Sequence, residues 1–233
     1  MKIHIWSDLR CPFCYIGKRK FEKALSQFGD KDQVEVIWRS FELDPDLKTQ
    51  PGVNAVDHIA AVKGMSREAA DRMHEHVITA AKGVGLNFDF EKVVVANSFN
   101  AHRLIHLATT KGLGNEAEEL LFKAHFSEGR NIDSTEVLRE VGIAIGLEVS
   151  EVEDMLLSDA FDEAVRKDEQ EAVTIGVTGV PFFVFNDRYA VSGAQSPDLF
   201  LQALQQSWQS FEQDRIVELA GNGGACSVEG NCS

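Results

Sequence analysis

The 233-residue chain is poor in positive charge: 23 lysines and arginines stand against 37 aspartates and glutamates, a formal net charge of −14. Contact with a phosphate backbone or an anionic lipid surface draws on an excess of Lys and Arg, so the composition argues against nucleic acid and membrane as partners. Long apolar runs are missing too. None approaches the ~18 to 20 residues that cross a bilayer, and the longest, Val180 to Phe185, is strand-sized. The N-terminal Met1-Lys-Ile-His-Ile-Trp6 alternates like a strand and reaches polar Ser7 and Asp8 at once, without the apolar core and cleavage site of a signal peptide. A cytoplasmic protein is therefore expected. Cysteine is scarce as well: four residues are too few for a disulfide scaffold, which makes their spacing the informative property.

The remaining composition is that of a folded protein. With 44% hydrophobic residues, a chain of this length can bury a substantial core as one large domain or two small ones. Residues 2–6 read as a strand, and Pro12 to about Phe28 as a helix, because Cys14, Gly17, Phe21, Leu25 and Phe28 recur at steps of three and four on one face. Val34 to Phe41 reads as a second, mostly apolar strand, which completes a β-α-β unit. From about Pro51 to Gly176 the period becomes helical, with start signals at Ser66, Asn97, Asn115, Asp133 and Ser150, the last as a capping box with Glu153. Two short strands, Pro181 to Phe185 and Tyr189 to Ser192, flank the turn signal Asn186-Asp187, and Pro197 opens a final helix running to Phe211 or beyond. This order predicts an α/β thioredoxin fold with a large helical insertion: thioredoxin parts at 1–50 and 173–215, the insertion at 51–172, and a Gly-rich tail at 216–233.

The chemistry concentrates at Cys11-Pro-Phe-Cys14, placed where the first strand ends and the helix begins. The first amides of a helix lack intrahelical partners and carry the positive end of its dipole, so a thiolate at Cys11 is stabilised there. Pro12 suits the first helical position, where no hydrogen bond is lost and φ is preset. Cys14 heads the buried stripe. Two residues three apart in a first turn have Cα atoms about 5 to 6 Å apart, within disulfide range. Residues 10 to 23 also carry Arg10, Lys18, Arg19, Lys20 and Lys23 against Glu22, a local excess of four positive charges. Cations beside a thiol favour its ionised form. The lysines read equally well as a solvated helix face, whereas Arg10 adjoins Cys11. The expectation is a Cys11 thiol of lowered pKa and a Cys14 slow to alkylate.

The segment Ser7-Asp-Leu-Arg-Cys-Pro-Phe-Cys-Tyr-Ile-Gly-Lys18 resembles the active-site segment of the DsbA-like thioredoxin-fold oxidoreductases, and within them the FrnE-like branch. Asn97 to Leu104, Val177 to Phe185 and Ala190 to Gln195 extend the resemblance over both halves of the fold. It implies a redox dithiol of Cys11 and Cys14, supported by Pro12 and Phe13, with Val180 and Pro181 offering backbone groups to an extended substrate chain. By frequency alone an X-Pro bond is trans, since only about 5 to 6% are cis in folded proteins; the resemblance implies a cis Val180-Pro181 facing the dithiol. The implied partners are protein thiols and disulfides, with glutathione or a thioredoxin-type protein as reductant, and no cofactor is implied. Neutral Phe13, in place of the histidine of strongly oxidising DsbA proteins, favours reductase or isomerase work.

Competing readings follow from the same residues. Cys226 and Cys232 form either a second redox pair that exchanges with the first or a local disulfide pinning the tail. Four cysteines in two pairs can build an all-thiolate zinc site, but Pro12 and the helix beginning within the first pair oppose this, and no metal site is expected. His102 and His106, four apart, and His74 and His76, two apart, read as surface or packing residues, with His102 also a candidate for the cleft. A glutathione-dependent transferase or isomerase of the kappa type would share the architecture but carry serine at position 11. A chaperone-like binder of unfolded chains would not need the thiols. Residues 148 to 171, with ten acids against Arg166 and Lys167, read as solvated helices.

Overall fold

A computed structural model describes residues 1–221, with side chains to Asp214. Strand β1 (Lys2–Ser7) leads into helix α1 (Pro12–Gln27), and β2 (Glu35–Ser40) returns parallel to β1 in the register Ile3 to Val36 and Ile5 to Trp38. The helical region then runs through α2 (Ala55–Lys63), α3 (Arg67–Lys82), α4 (Phe99–Thr109), α5 (Gly114–Phe122), α6 (Thr135–Ala144), α7 (Val149–Leu157) and α8 (Asp162–Thr174). Strands β5 (Phe182–Phe185) and β6 (Tyr189–Ser192) and helix α9 (Pro197–Gly221) complete the described residues. The sheet order is β2-β1-β5-β6, with β5 antiparallel to both neighbours. That is the thioredoxin arrangement, interrupted between β2 and β5 by helices.

Central position explains why β1 is buried on both faces. Ile3 and Ile5, fully buried, belong with Phe183, Phe185, Phe21 of α1 and Phe200 of α9 to the main core. There the ring centroids of Phe183 and Phe200 are 4.6 Å apart and those of Phe21 and Phe183 5.6 Å. Each such side chain contributes roughly 1.5 to 3 kcal/mol by leaving water. On the other face, Trp6 packs with Ala172 and Val177 near the end of α8, and its indole donates to the carbonyl of Asp168 at 2.9 Å. The hairpin turn has Asn186 and Asp187 at φ 50° and 54°, the left-handed pair that two-residue hairpins require.

The structure corrects several sequence expectations. Pro51 does not begin a helix: Gln50–Asn54 forms a strand, β3, paired with β4 (Val94–Val95), and α2 starts only after Asn54, whose side chain accepts from the amides of Val56 and Asp57. The capping box of α7 lies two residues earlier than the Ser150 pattern, with Glu148 and Glu151 exchanging the bonds. The acids of 148 to 171 are not all solvated. Asp168 is fully buried, accepting from Arg39 at 2.8 Å and from the amide of Ser40 at 2.9 Å, so it fastens α8 to β2.

Candidate active site

Cys11 occupies the N-cap of α1 with extended backbone, and Pro12 follows in the first turn. The amide of Cys11 donates to the carbonyl of Asp8 at 2.9 Å, and that of Cys14 to the carbonyl of Cys11 at 3.0 Å, so the dithiol sits on a closed first turn. Both thiols are free. Cys11 is 6% exposed and Cys14 1%, while Phe13 between them is 40% exposed. Both cysteines are therefore buried, Cys14 the more completely.

The Val180-Pro181 bond is cis, and the Cys11 thiol lies 3.5 Å from the Val180 carbonyl oxygen. This loop is held from two directions. The Gly193 amide donates to the Pro181 carbonyl at 2.8 Å, and α1 approaches so closely that a Cβ on Gly17 would stand 2.9 Å from Cγ of Pro181. The structure thus brings Cys11, Cys14, Pro12, Phe13, Val180 and Pro181 together. Cys226 and Cys232 lie outside the described residues.

The electrostatics differ from the sequence expectation. Lys18 is not on a solvated face: it is buried and pairs with Glu22 and, at 3.0 Å, with Glu119 of α5. Arg19 pairs with the same two carboxylates, and Lys20 donates to the Ala194 carbonyl. Two helix cations are thus neutralised by Glu22 and by Glu119, 100 residues beyond Arg19, which local charge counting missed.

Beneath the dithiol lies a cluster of buried ionisable groups that sequence reasoning did not identify. Burial would raise the Asp8 carboxyl, but His102 and the amides of Leu43 and Arg10 outweigh it and hold it below its ordinary value. Burial likewise opposes the His102 cation, yet Asp8, with Glu118 and Glu42, raises its pKa. The two form a buried ion pair at 3.9 Å. His102 is therefore beneath the site and not in the cleft, and His106 faces Asp168 at 3.2 Å; both histidines have acidic partners that their spacing did not reveal. Glu118 of α5 is fully buried and accepts from the Ser7 hydroxyl at 2.7 Å; burial pushes its carboxyl up to about 7 against the pull of Ser7, His102 and Lys18. Burial first, then the neighbouring Cys11, push the Cys14 thiol well above its ordinary value. Among the described residues no group of three or more His, Cys, Asp or Glu is placed to hold a metal ion.

Next to the dithiol a cavity of about 320 Å³ opens between the start of α1 and the insertion, lined by Pro12, Phe13, Ile59, Val77, Phe90 and Phe126 among others. His74 and His125, also on its wall, serve packing: His74 lies with its ring centroid 4.2 Å from that of Phe90. The apolar walls of this cavity suit a hydrophobic group held beside the dithiol.

A thioredoxin-type sheet, a helix-capping cysteine above a buried one and a cis-proline loop against them define a dithiol protein of the thioredoxin class. The sequence profile of the DsbA-like thioredoxin domain matches residues 2–205, and the chain belongs to that family, which places it among the thiol-disulfide oxidoreductases. It superposes on a probable DsbA oxidoreductase from Streptomyces coelicolor with a TM-score of 0.84 and 36% identity, covering 100% of this chain and 98% of that one. The cytosolic disulfide reductase DsbM from Pseudomonas aeruginosa, in its form with GSH, shares the fold at a TM-score of 0.63 and 20% identity, over 90% of this chain and 100% of the other. The uncharacterized protein YwbO of Bacillus subtilis (strain 168) is 28% identical over 207 residues, 88% of this chain and 96% of that protein.

Proposed function

We propose that this protein reduces or isomerises protein disulfides, with Cys11 as nucleophile and Cys14 as resolving thiol. The observation that carries the reading is the placement of the Cys11 sulfur at a helix N-terminus and against the Val180 carbonyl, with Cys14 sealed below. The Cys11 thiolate attacks a substrate disulfide, giving a mixed disulfide and one free substrate thiol. Cys14 then attacks Cys11, releasing the second thiol and leaving the Cys11-Cys14 disulfide. The substrate chain lies extended against the backbone of Val180 and Pro181, a form of strand addition, with an apolar side chain in the cavity beside Phe13.

Reductase or isomerase work in the cytoplasm is favoured over net oxidation by the neutral Phe13 and by the fold shared with a cytosolic disulfide reductase. Glutathione or a thioredoxin-type protein is the proposed reductant, in keeping with the GSH-bound form of that neighbour. A kappa-type transferase is disfavoured by the two thiols at positions 11 and 14.

Insulin-disulfide reduction tests the proposal. Wild type should turn over, Cys11→Ser should lose all activity, and Cys14→Ser should accumulate a mixed disulfide visible by mass spectrometry. Retained turnover in Cys11→Ser would refute it. Suppression of aggregation that survives Cys11→Ser without any wild-type reductase activity would identify a chaperone-like binder. The same assay on Cys226→Ser/Cys232→Ser distinguishes electron exchange with the tail, which slows turnover, from a local pairing, which leaves it unchanged.

A further inference from the structure

The cavity beside the dithiol has two features that apolar packing does not explain. Its volume of about 320 Å³ is roughly twice the ~150 Å³ in which an apolar cavity houses a benzene molecule, and Pro12 and Phe13 on its wall set it against the cysteine pair. Part of the wall comes from the insertion, where the π-helical segment Lys123–Ser127 contributes His125 and Phe126. Such segments are uncommon and gather at functional sites. His125 is 3% exposed and packs edge-on against Phe126 with ring centroids 4.6 Å apart, but its Nδ1 has no hydrogen-bond partner among the described residues. Desolvation keeps the ring neutral at physiological pH. A buried polar atom without a partner favours any occupant that supplies the missing bond.

The second feature is the sign of the charge. The chain carries 37 acidic residues, yet no aspartate or glutamate lines this cavity. Its polar residues are instead Arg10, His58, Lys63 and His76 besides the two buried histidines; Lys63 and His76 are exposed and Arg10 and His58 half-buried, so they mark the side open to water. Asp44, which acts on His58 from the loop after β2, is not part of the lining. The mouth is thus cationic in a protein of net charge −14.

We propose that the cavity selects substrate chains with a tyrosine near the reacting cysteine and an acidic residue close by, the phenol hydrogen-bonded to His125 and the carboxylate held at Arg10 and Lys63. This rests on the oxidoreductase reading above and names a substrate class for it. The occupant follows from the walls. Phe90 and Phe126 offer ring faces and edges to an aromatic side chain, which aliphatic substrates would use less well. Among aromatic side chains, phenylalanine leaves Nδ1 of His125 unpaired, and tryptophan can only donate. A phenolic hydroxyl both donates and accepts, so it pairs with Nδ1 in either tautomer of the neutral ring. Nonpolar walls with a single interior polar group reject the analogue that lacks the matching hydroxyl, because the polar atom is then buried unpaired. The cationic mouth adds long-range attraction for an acidic segment and repels a basic one. His125, Arg10 and Lys63 are in this reading specificity-determining residues, apart from the exchange chemistry of Cys11 and Cys14.

Single-turnover reduction of disulfide-linked peptides by the prereduced full-length protein, acid-quenched and read by mass spectrometry, tests this. The peptides carry tyrosine, phenylalanine or alanine one or two positions to either side of the cysteine, each with glutamate or lysine neighbours. Bis(2-hydroxyethyl) disulfide, neutral and without a ring, reports the dithiol chemistry alone. In the best position, tyrosine should react about tenfold faster than phenylalanine and about 100-fold faster than alanine. Glutamate neighbours should be preferred over lysine by about fivefold, less so in added salt. His125→Leu should bring the tyrosine-to-phenylalanine ratio to about one, and Lys63→Glu, at an exposed position, should abolish the glutamate preference. Both variants should reduce bis(2-hydroxyethyl) disulfide within a factor of about two of wild type, since neither touches the thiols. Equal rates for tyrosine and phenylalanine in wild type overturn the proposal without need of any variant, as does a tyrosine preference that survives His125→Leu. 3-(4-Hydroxyphenyl)propanoate, which has the same groups without a chain, should slow the tyrosine peptide by less than about twofold when equimolar with it; stronger inhibition would make a small phenolic acid the occupant and overturn the peptide assignment. Failure of wild type to reduce bis(2-hydroxyethyl) disulfide overturns the oxidoreductase reading itself.

Discussion

A Cβ placed on Gly17 would stand 2.9 Å from Cγ of Pro181 and 3.5 Å from Cβ of Ala194, so the helix bearing the dithiol meets the cis-proline loop without room for a single methyl group. Neither the proline ring nor the Ala194 backbone behind it can swing away as a long side chain would. Gly17→Ala should destabilise the protein by about 1 to 3 kcal/mol through overpacking. The urea midpoint measures this, and insulin reduction should fall with it because the loop is displaced from Cys11. A variant as stable and active as wild type would mean that the two elements are not in contact.

Alkylation should discriminate between the cysteines. With Cys14 buried and its thiol pushed up, native protein treated with iodoacetamide should carry label at Cys11 at least about tenfold sooner than at Cys14, and the difference should vanish in denaturant. Peptide mass spectrometry over a time course measures both rates. Equal rates in the native state would contradict the burial of Cys14.

Glu118 makes the protein lose stability as pH rises from mildly acidic to neutral. Its folded-state carboxyl titrates at about 7 against an ordinary value of 4.5, so between these values the folded protein binds more protons than the unfolded chain. Stability falls as pH rises through that window, by about 3 kcal/mol once both forms are ionised. Glu118→Gln keeps the shape and removes the charge. It should be more stable than wild type at about pH 8 and similar at about pH 4.5, as read from urea midpoints.

His125 has the opposite sign. Fully buried in the π-helical segment Lys123–Ser127, it is pushed down to about 4 from 6.5 by desolvation, so the folded protein binds fewer protons than the unfolded chain between these values. Stability is lost as pH falls through this window, by about 2 kcal/mol at about pH 5. His125→Asn should flatten the acid limb of the stability profile; thermal melts at a series of pH values would show it, and an unchanged acid limb would assign the loss to other groups.

Much of the site was legible from the sequence because its parts are local. Cysteine, proline and cysteine in four residues specify a helix start with a thiol at its N-cap, and the stripe from Cys14 through Gly17 and Phe21 specifies which face is buried. The Asn186-Asp187 turn likewise encodes its own conformation. Strand β3 was missed since a five-residue edge pairing, at Gln50 and Asn54 with only Val94–Val95 opposite, leaves almost no periodicity to read. The Ser150 capping pattern failed because Glu148, two residues earlier, offers the same chemistry and the chain turns there.

By itself the sequence determined the order of the main elements, β3 and β4 apart, with the cysteine pair and its helix, through short-range rules of backbone geometry and side-chain spacing. Only the tertiary structure decided what surrounds the sulfurs. Lys18 and Arg19 count as free cations until α5 brings Glu119 to them, His102 has no evident partner until the loop after β1 presents Asp8, and Ser7 gains a carboxylate only when the insertion packs Glu118 against it. Burial sets how strongly each of these groups holds its proton. It is a property of the whole packed chain, which no local window contains.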